Sequence, residues 1–198
     1  MEVIQYPNDN YYDEVRDRIG SLTDQVQLLF SHLTGEQLNT KPEPGRWSIG
    51  ECLDHLITTN RSYYPAFQAL SKANRRPSFW ERFSPFSHYF GKLLIETTGP
   101  TVTKKYKSPP AFRSTRSSVP DDIVSLFAKE NEQLVELTDR MRMNPPLQTI
   151  VTSPASNLVT YTLGDALEII LGHEQRHINQ AKAVLDMTIL NKHTQEVQ

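Results

Sequence analysis

Residues 162–185, TLGDALEIILGHEQRHINQAKAVL, decide the fold and also carry the chemistry. Leu163, Leu167, Ile170, Leu171, Ile178, Ala181 and Leu185 return at steps of three and four, the spacing of one face of an α-helix. Thr162 stands before the first of them, and Asp165 follows three residues later, as an N-cap and its reciprocal acid do. The pattern predicts a long amphipathic helix from near Thr162 to about Leu190. Inside it His173 and His177 are four residues apart, one above the other on the helix face. Two neutral imidazoles so placed can converge on one ion at about 2.0–2.1 Å. They suit Zn, Ni, Cu or Fe better than Mg or Ca.

Three more helices read outward from this one. Over residues 11–33, Val15, Ile19, Leu22, Val26, Leu29, Phe30 and Leu33 share a face, and Gly35 stands where a helix stop belongs. A breaker-rich connector, residues 39–47, contains Pro42, Pro44 and Gly45. Ser48 and Glu51 then make a capping box for a second helix, which reaches about Leu70 with Pro65 as a kink or early stop. Pro120 and Asp121 open a third, with Ile123, Leu126, Phe127, Leu134, Leu137 and Met141 on its face. Asn144, Pro145 and Pro146 stop it, and residues 147–160 form a connector, extended in part. Four such helices predict an all-α protein, a four-helix bundle forming one domain over residues 1–198. A long, partly irregular insertion, residues 72–119, separates the second and third helices. Its aromatics, Phe79, Trp80, Phe83, Phe86, Tyr89 and Phe90, are expected to form one or two short helices that cover the bundle. They are also expected to shape an apolar pocket beside the site, while residues 100–119 read as irregular loop.

The bulk numbers narrow the function. A net charge of −2 and a pI near 6.3 provide no strong pull on nucleic acid. Lys104, Lys105 and Lys107 read as solvated loop. One cysteine, Cys52, allows no internal disulfide and fits a reducing compartment. Met1–Val15 lack the apolar core of a secretory signal, and no apolar run approaches bilayer length. The expectation is a soluble cytoplasmic protein with no nucleic-acid or membrane partner.

The run His173-Glu174-Gln175-Arg176-His177 also fits H-E-x-x-H, in which Glu174 would be the general base of a metalloprotease and Glu196 a third ligand. Against it, Glu196 lies in a polar tail and no strand pattern precedes the motif. A third imidazole is available on the second helix, where His55 sits among Cys52, Leu56 and Thr59. Three histidines plus water would leave the open position that catalytic metal sites keep. Gln180 lies one turn below His177 and could orient it. Cys52 reads as a small core residue, Asp54 as a surface acid and Trp47 as a hydrophobic staple before the Ser48 cap. His32, His88 and His193 receive no role.

The run Pro44-Gly45-Arg46-Trp47-Ser48-Ile49-Gly50-Glu51-Cys52-Leu53-Asp54-His55-Leu56 resembles the second-helix signature of the DinB/YfiT-like family. So does His173-x-x-x-His177 followed by Gln180. The resemblance covers almost the whole chain in element order, although residues 72–119 match no family pattern. It implies a four-helix bundle in which His55, His173 and His177 bind one divalent metal ion, zinc or nickel foremost. Relatives transfer low-molecular-weight thiols, or isomerise or hydrolyse small molecules. The implied activity is therefore a metal-dependent hydrolase or thiol transferase with a small-molecule substrate, and Glu174 is a candidate catalytic group. The alternative is a non-catalytic, metal-stabilised bundle serving as a stress-related or dimeric binding module. A homodimer is expected in either case, because amphipathic bundles pair through a helix face.

Overall fold

The computed structural model describes residues 8–72, 75–100, 118–142 and 145–196, with side chains described for 10–188 of these. The first helix, α1, is Asn8–Phe30. It ends before Leu33, and Gly35 does not stop it. Gly35 instead opens a short helix, α2 (Gly35–Asn39), because Thr34 and Gln37 close a capping box around that start.

The next helix, α3 (Ile49–Leu70), starts where Ser48 and Glu51 predict. The Glu51 amide donates to Ser48 Oγ at 3.1 Å, and the Ser48 amide donates to the Glu51 carboxylate at 2.8 Å. Gly45, at φ +80°, turns the connector into this cap, a conformation that costs a glycine little. The helix continues through Pro65, which is exposed, so water can satisfy the carbonyl it orphans. Ser48→Ala should lower stability by about 1 kcal/mol, a fall in melting temperature of about 2–4 °C. Thermal unfolding followed by circular dichroism checks this, and an unchanged midpoint would show the box to be idle.

The insertion supplies α4 (Phe79–Phe83) and α5 (Ser87–Thr98). The helix α6 (Ile123–Met141) begins just past Pro120 and Asp121, which lie ahead of its first turn. The connector after it is more ordered than its sequence suggests. Strands β1 (Ile150–Ser153) and β2 (Ser156–Thr162) form an antiparallel hairpin, pairing Ile150 with Thr162, Val151 with Tyr161 and Thr152 with Thr160. Buried Val151 and Tyr161 anchor it to the core. The last helix, α7, is Leu163–Glu196. Thr162 ends the ladder and caps this helix, exchanging two 3.0 Å hydrogen bonds with Asp165.

Helices α1, α3, α6 and α7 form the bundle. Val26, Phe30, Leu53, Leu56, Phe67, Phe127 and Leu134 are fully buried between them. Helix α5 lies along α7 and β2. It approaches closely because Gly91 has no side chain: a Cβ there would sit 2.3 Å from Asp165 Oδ2. Helix α4 is tied to β1 through Glu81, which accepts from the Thr152 amide and hydroxyl, each at 3.1 Å.

The aromatics of α4 and the start of α5 are not a cover for the bundle. Phe79, Trp80, Phe83, Phe86 and Tyr89 face solvent. The insertion is held instead by Glu81, Ser87 and Gly91, whose partners lie in the hairpin and at the start of α7. Lys104, Lys105 and Lys107 lie outside the described residues, as do the side chains of His193 and Glu196. Among the described residues no helix is long and apolar enough to cross a membrane.

Candidate metal centre

Helices α3 and α7 run antiparallel, so ascending positions of one meet descending positions of the other. Asn60 meets Glu174, and His55 meets His173 and His177, while Tyr63 reaches Tyr161 of β2 just ahead of α7. This crossing brings His55 to the His173–His177 pair, more than a hundred positions away in the chain. Their ring centroids are 4.6–5.0 Å apart, and each pair of planes is inclined at 67–69°. One ring nitrogen from each falls within 4.8 Å of the others, a group that could hold a metal ion. The Nε2 atoms of His55 and His173 are 3.3 Å apart. That is long for a hydrogen bond. It equals the edge of a tetrahedron with metal–nitrogen bonds of about 2.0–2.1 Å.

The site is dry. His55 and His177 are buried, and His173 is partly exposed. Trp47 stacks on His177 with centroids 5.5 Å apart and planes 22° apart, and tilts over His55 at 4.9 Å. The indole therefore roofs two of the three rings, a role its position before the Ser48 cap does not reveal. Burial pushes the His173 pKa down to about 3, with the neighbouring His55 and Arg176 adding to the effect. Burial likewise pushes His177 down to about 2, with His173, His55 and Arg176 in the same direction, while a hydrogen bond with Gln180 acts the other way. Burial and the neighbouring charges thus keep His173 and His177 neutral, the form that binds metal. The Nδ1 atoms of His173 and His177 are buried without a hydrogen-bond partner among the described residues. Packing against Trp47 and between the helices, rather than a carboxylate behind each ring, sets their orientation.

Glu174 does not join the histidines. Its carboxylate is fully buried and accepts from Asn60 Nδ2 at 2.6 Å and Asn131 Nδ2 at 3.3 Å. Asn131 also donates to Thr23 Oγ1 at 3.0 Å. One carboxylate thus links α7 to α3 and α6, and through Asn131 to α1. Burial raises its pKa to about 7 against the two amide donors, with nearby Glu130 adding to the rise. Buried Glu130 is itself paired with Arg61 at 2.7 Å. Asn60 and Asn131 escape a search for metal ligands. They are nonetheless legible as polar residues on apolar stripes, between Ile57 and Tyr63 on α3 and between Phe127 and Leu134 on α6.

Cys52 is a core residue: burial pushes its thiol up, and it lies outside the histidine group. Asp54 is half-buried, and His32 and His88 are exposed and apart from the site. Among the described residues of the insertion, the end of α5 reaches the level of the histidines. There Arg176 donates to the Thr97 carbonyl at 3.0 Å, and Gly172 packs against Gly99. A cavity of about 360 Å³ lies by the hairpin, and one of about 410 Å³ lies between α1 and α6. Neither is lined by a histidine, so the expected aromatic pocket is not found in either.

A solved structure with the same architecture is that of YfiT from Bacillus subtilis, described as "a probable metal-dependent hydrolase with an unusual four-helix bundle topology". It is 13% identical, with a TM-score of 0.57 over 97% of this chain and 94% of that one, a likeness of fold. No curated protein matches the chain in sequence. The family model of the DinB superfamily matches residues 13–181, and the chain belongs to that superfamily.

Proposed function

We propose that this protein is a metal-dependent hydrolase of a small molecule, with one divalent ion, zinc or nickel, held by His55, His173 and His177. The observation that carries this reading is the mutual inclination of three imidazoles around a 3.3 Å Nε2–Nε2 separation. A divalent ion at such a site supplies Lewis acidity and lowers the pKa of the water or thiol it binds. Trp47 keeps bulk water from His55 and His177. Partly exposed His173 marks the side from which a substrate reaches the site. Gln180 steadies His177, and Glu174 positions α7 from the core without touching the reacting atoms.

The test is reconstitution with zinc or nickel, followed by assay of an activated ester and, in parallel, of a low-molecular-weight thiol with an electrophile. Metal-dependent ester cleavage supports the proposal. Turnover only with the thiol would make the protein an S-transferase on the same site. Stoichiometric metal with neither activity would favour a binding module. In a Trp80→Phe background, Ni²⁺ should quench the remaining Trp47 emission, because the indole stacks on a ligand ring. Because His173 and His177 stay neutral, protons do not compete for these two ligands, and metal uptake should be nearly flat from about pH 8 to about pH 5, where an exposed histidine site loses affinity below about pH 6.5. A steep fall in titrations near pH 6.5 would contradict it.

A further inference from the structure

The insertion carries a surface that the metal centre does not use. Phe79, Phe83, Phe86 and Tyr89 are 68, 61, 60 and 53% exposed, and Trp80 is 45% exposed. They fall in two groups, Phe79 with Trp80 and Phe83, and Phe86 with Tyr89 about Phe90, and a monomer seldom leaves so many large rings in water within eleven residues of chain unless they bind something. The same segment is basic. Residues 72–98 contain five Lys and Arg against two acids, in a chain whose net charge is −2. One of those acids, Glu81, is consumed internally by Arg75, the Ser78 amide and Thr152. Among the described residues Lys72, Arg76 and Arg82 have no acidic partner. Arg82 lies 5.8 Å from the centre of the Phe83 ring. Lys72, Arg75 and Arg82 also line the 360 Å³ cavity, together with Glu81, whose charge Arg75 offsets.

We propose that this face docks on the interface of an anionic phospholipid bilayer, with the rings at headgroup depth and the cavity receiving a phosphate headgroup. Aromatic side chains favour that depth, and basic residues beside them are drawn to anionic lipid. The lack of a membrane-spanning run does not bear on it, because a peripheral contact needs none. Charge argues against a second copy of the chain: a two-fold contact would set this basic patch against itself. Ring packing argues against nucleic acid. Phe79 already packs on Phe83 at 5.0 Å and on Trp80 at 5.8 Å, which spends contact area that stacked bases would need.

The experiment is sedimentation of the full-length protein with vesicles of phosphatidylcholine and phosphatidylglycerol, beside vesicles of phosphatidylcholine alone. Binding to the mixed vesicles is expected, weakened by salt, with a blue shift in emission that Trp80→Phe removes. Losing one cation should weaken partitioning about fivefold, so Lys72→Glu and Arg82→Glu should each do at least that. Phe83→Ser should weaken it while leaving charge unchanged. All three positions are exposed, and circular dichroism confirms that the variants fold. No sedimentation with anionic vesicles at low salt overturns the proposal. So does self-association abolished by Phe83→Ser in the absence of lipid, or preferential binding of a single-stranded oligonucleotide.

Discussion

Replacing His177 with alanine should cost at least about a hundredfold in metal affinity, since losing a ligand exceeds the 10–100-fold effect of losing a partner behind one. The readout is metal per chain by elemental analysis, with His55→Ala alongside. The parent should hold close to one divalent ion and each variant little. A second measurement separates metal loss from damage to the fold. Metal at a hundred times its dissociation constant should stabilise the parent by about 2.7 kcal/mol, and it should shift neither variant. His177 packs under Trp47, so its removal also lowers the melting point of the metal-free protein. For that reason the shift on adding metal is the quantity to compare. A variant that keeps its metal would remove the three-histidine site, and a parent that takes none after reconstitution would remove the proposed function with it.

Glu174→Ala should be among the most damaging single substitutions, at about 3–5 kcal/mol. It leaves a void and strips the acceptor from two buried amides, Asn60 Nδ2 and Asn131 Nδ2. Glu174→Gln keeps the volume but turns one amide toward another, at about 1–3 kcal/mol. This second variant also carries a signature in pH. The Glu174 pKa rises from 4.5 to about 7 on folding. Its contribution is therefore complete below about pH 4.5 and is lost as pH rises toward about 7. His173 and His177 have the opposite sign: their folded pKa values lie below 6.5, so their contribution is present above about pH 6.5 and is lost as pH falls. Subtracting the two urea-unfolding series, parent minus Glu174→Gln, leaves the carboxylate's part. That difference should fall by a few kcal/mol between about pH 4.5 and about pH 7 in the metal-free protein. A flat difference would mean that the carboxyl is not desolvated as its burial indicates.

Chemistry and fold were legible to different depths. The capping boxes at Ser48 and Thr162 are short-range hydrogen-bond patterns, and both are read correctly from spacing alone. The hairpin was not legible. Each of its strands is short, and its β-branched residues become a ladder only when Val151 and Tyr161 find the core. The aromatics of α4 and the start of α5 read as a cover yet stand in solvent, because hydrophobicity favours burial but does not say against what. The bundle closes without them, and Glu81 and Gly91 set the pose of the insertion.

By itself, then, the chain determines its helices, their apolar faces and the pairing of His173 with His177, since each depends on residues within a turn or two of one another. Only the tertiary structure decides that His55 completes a triad, that Trp47 roofs it and that Glu174 turns away to Asn60 and Asn131. Those contacts span up to 130 residues of chain. Their geometry comes from the antiparallel packing of α3 against α7, which depends on every side chain between the two helices at once.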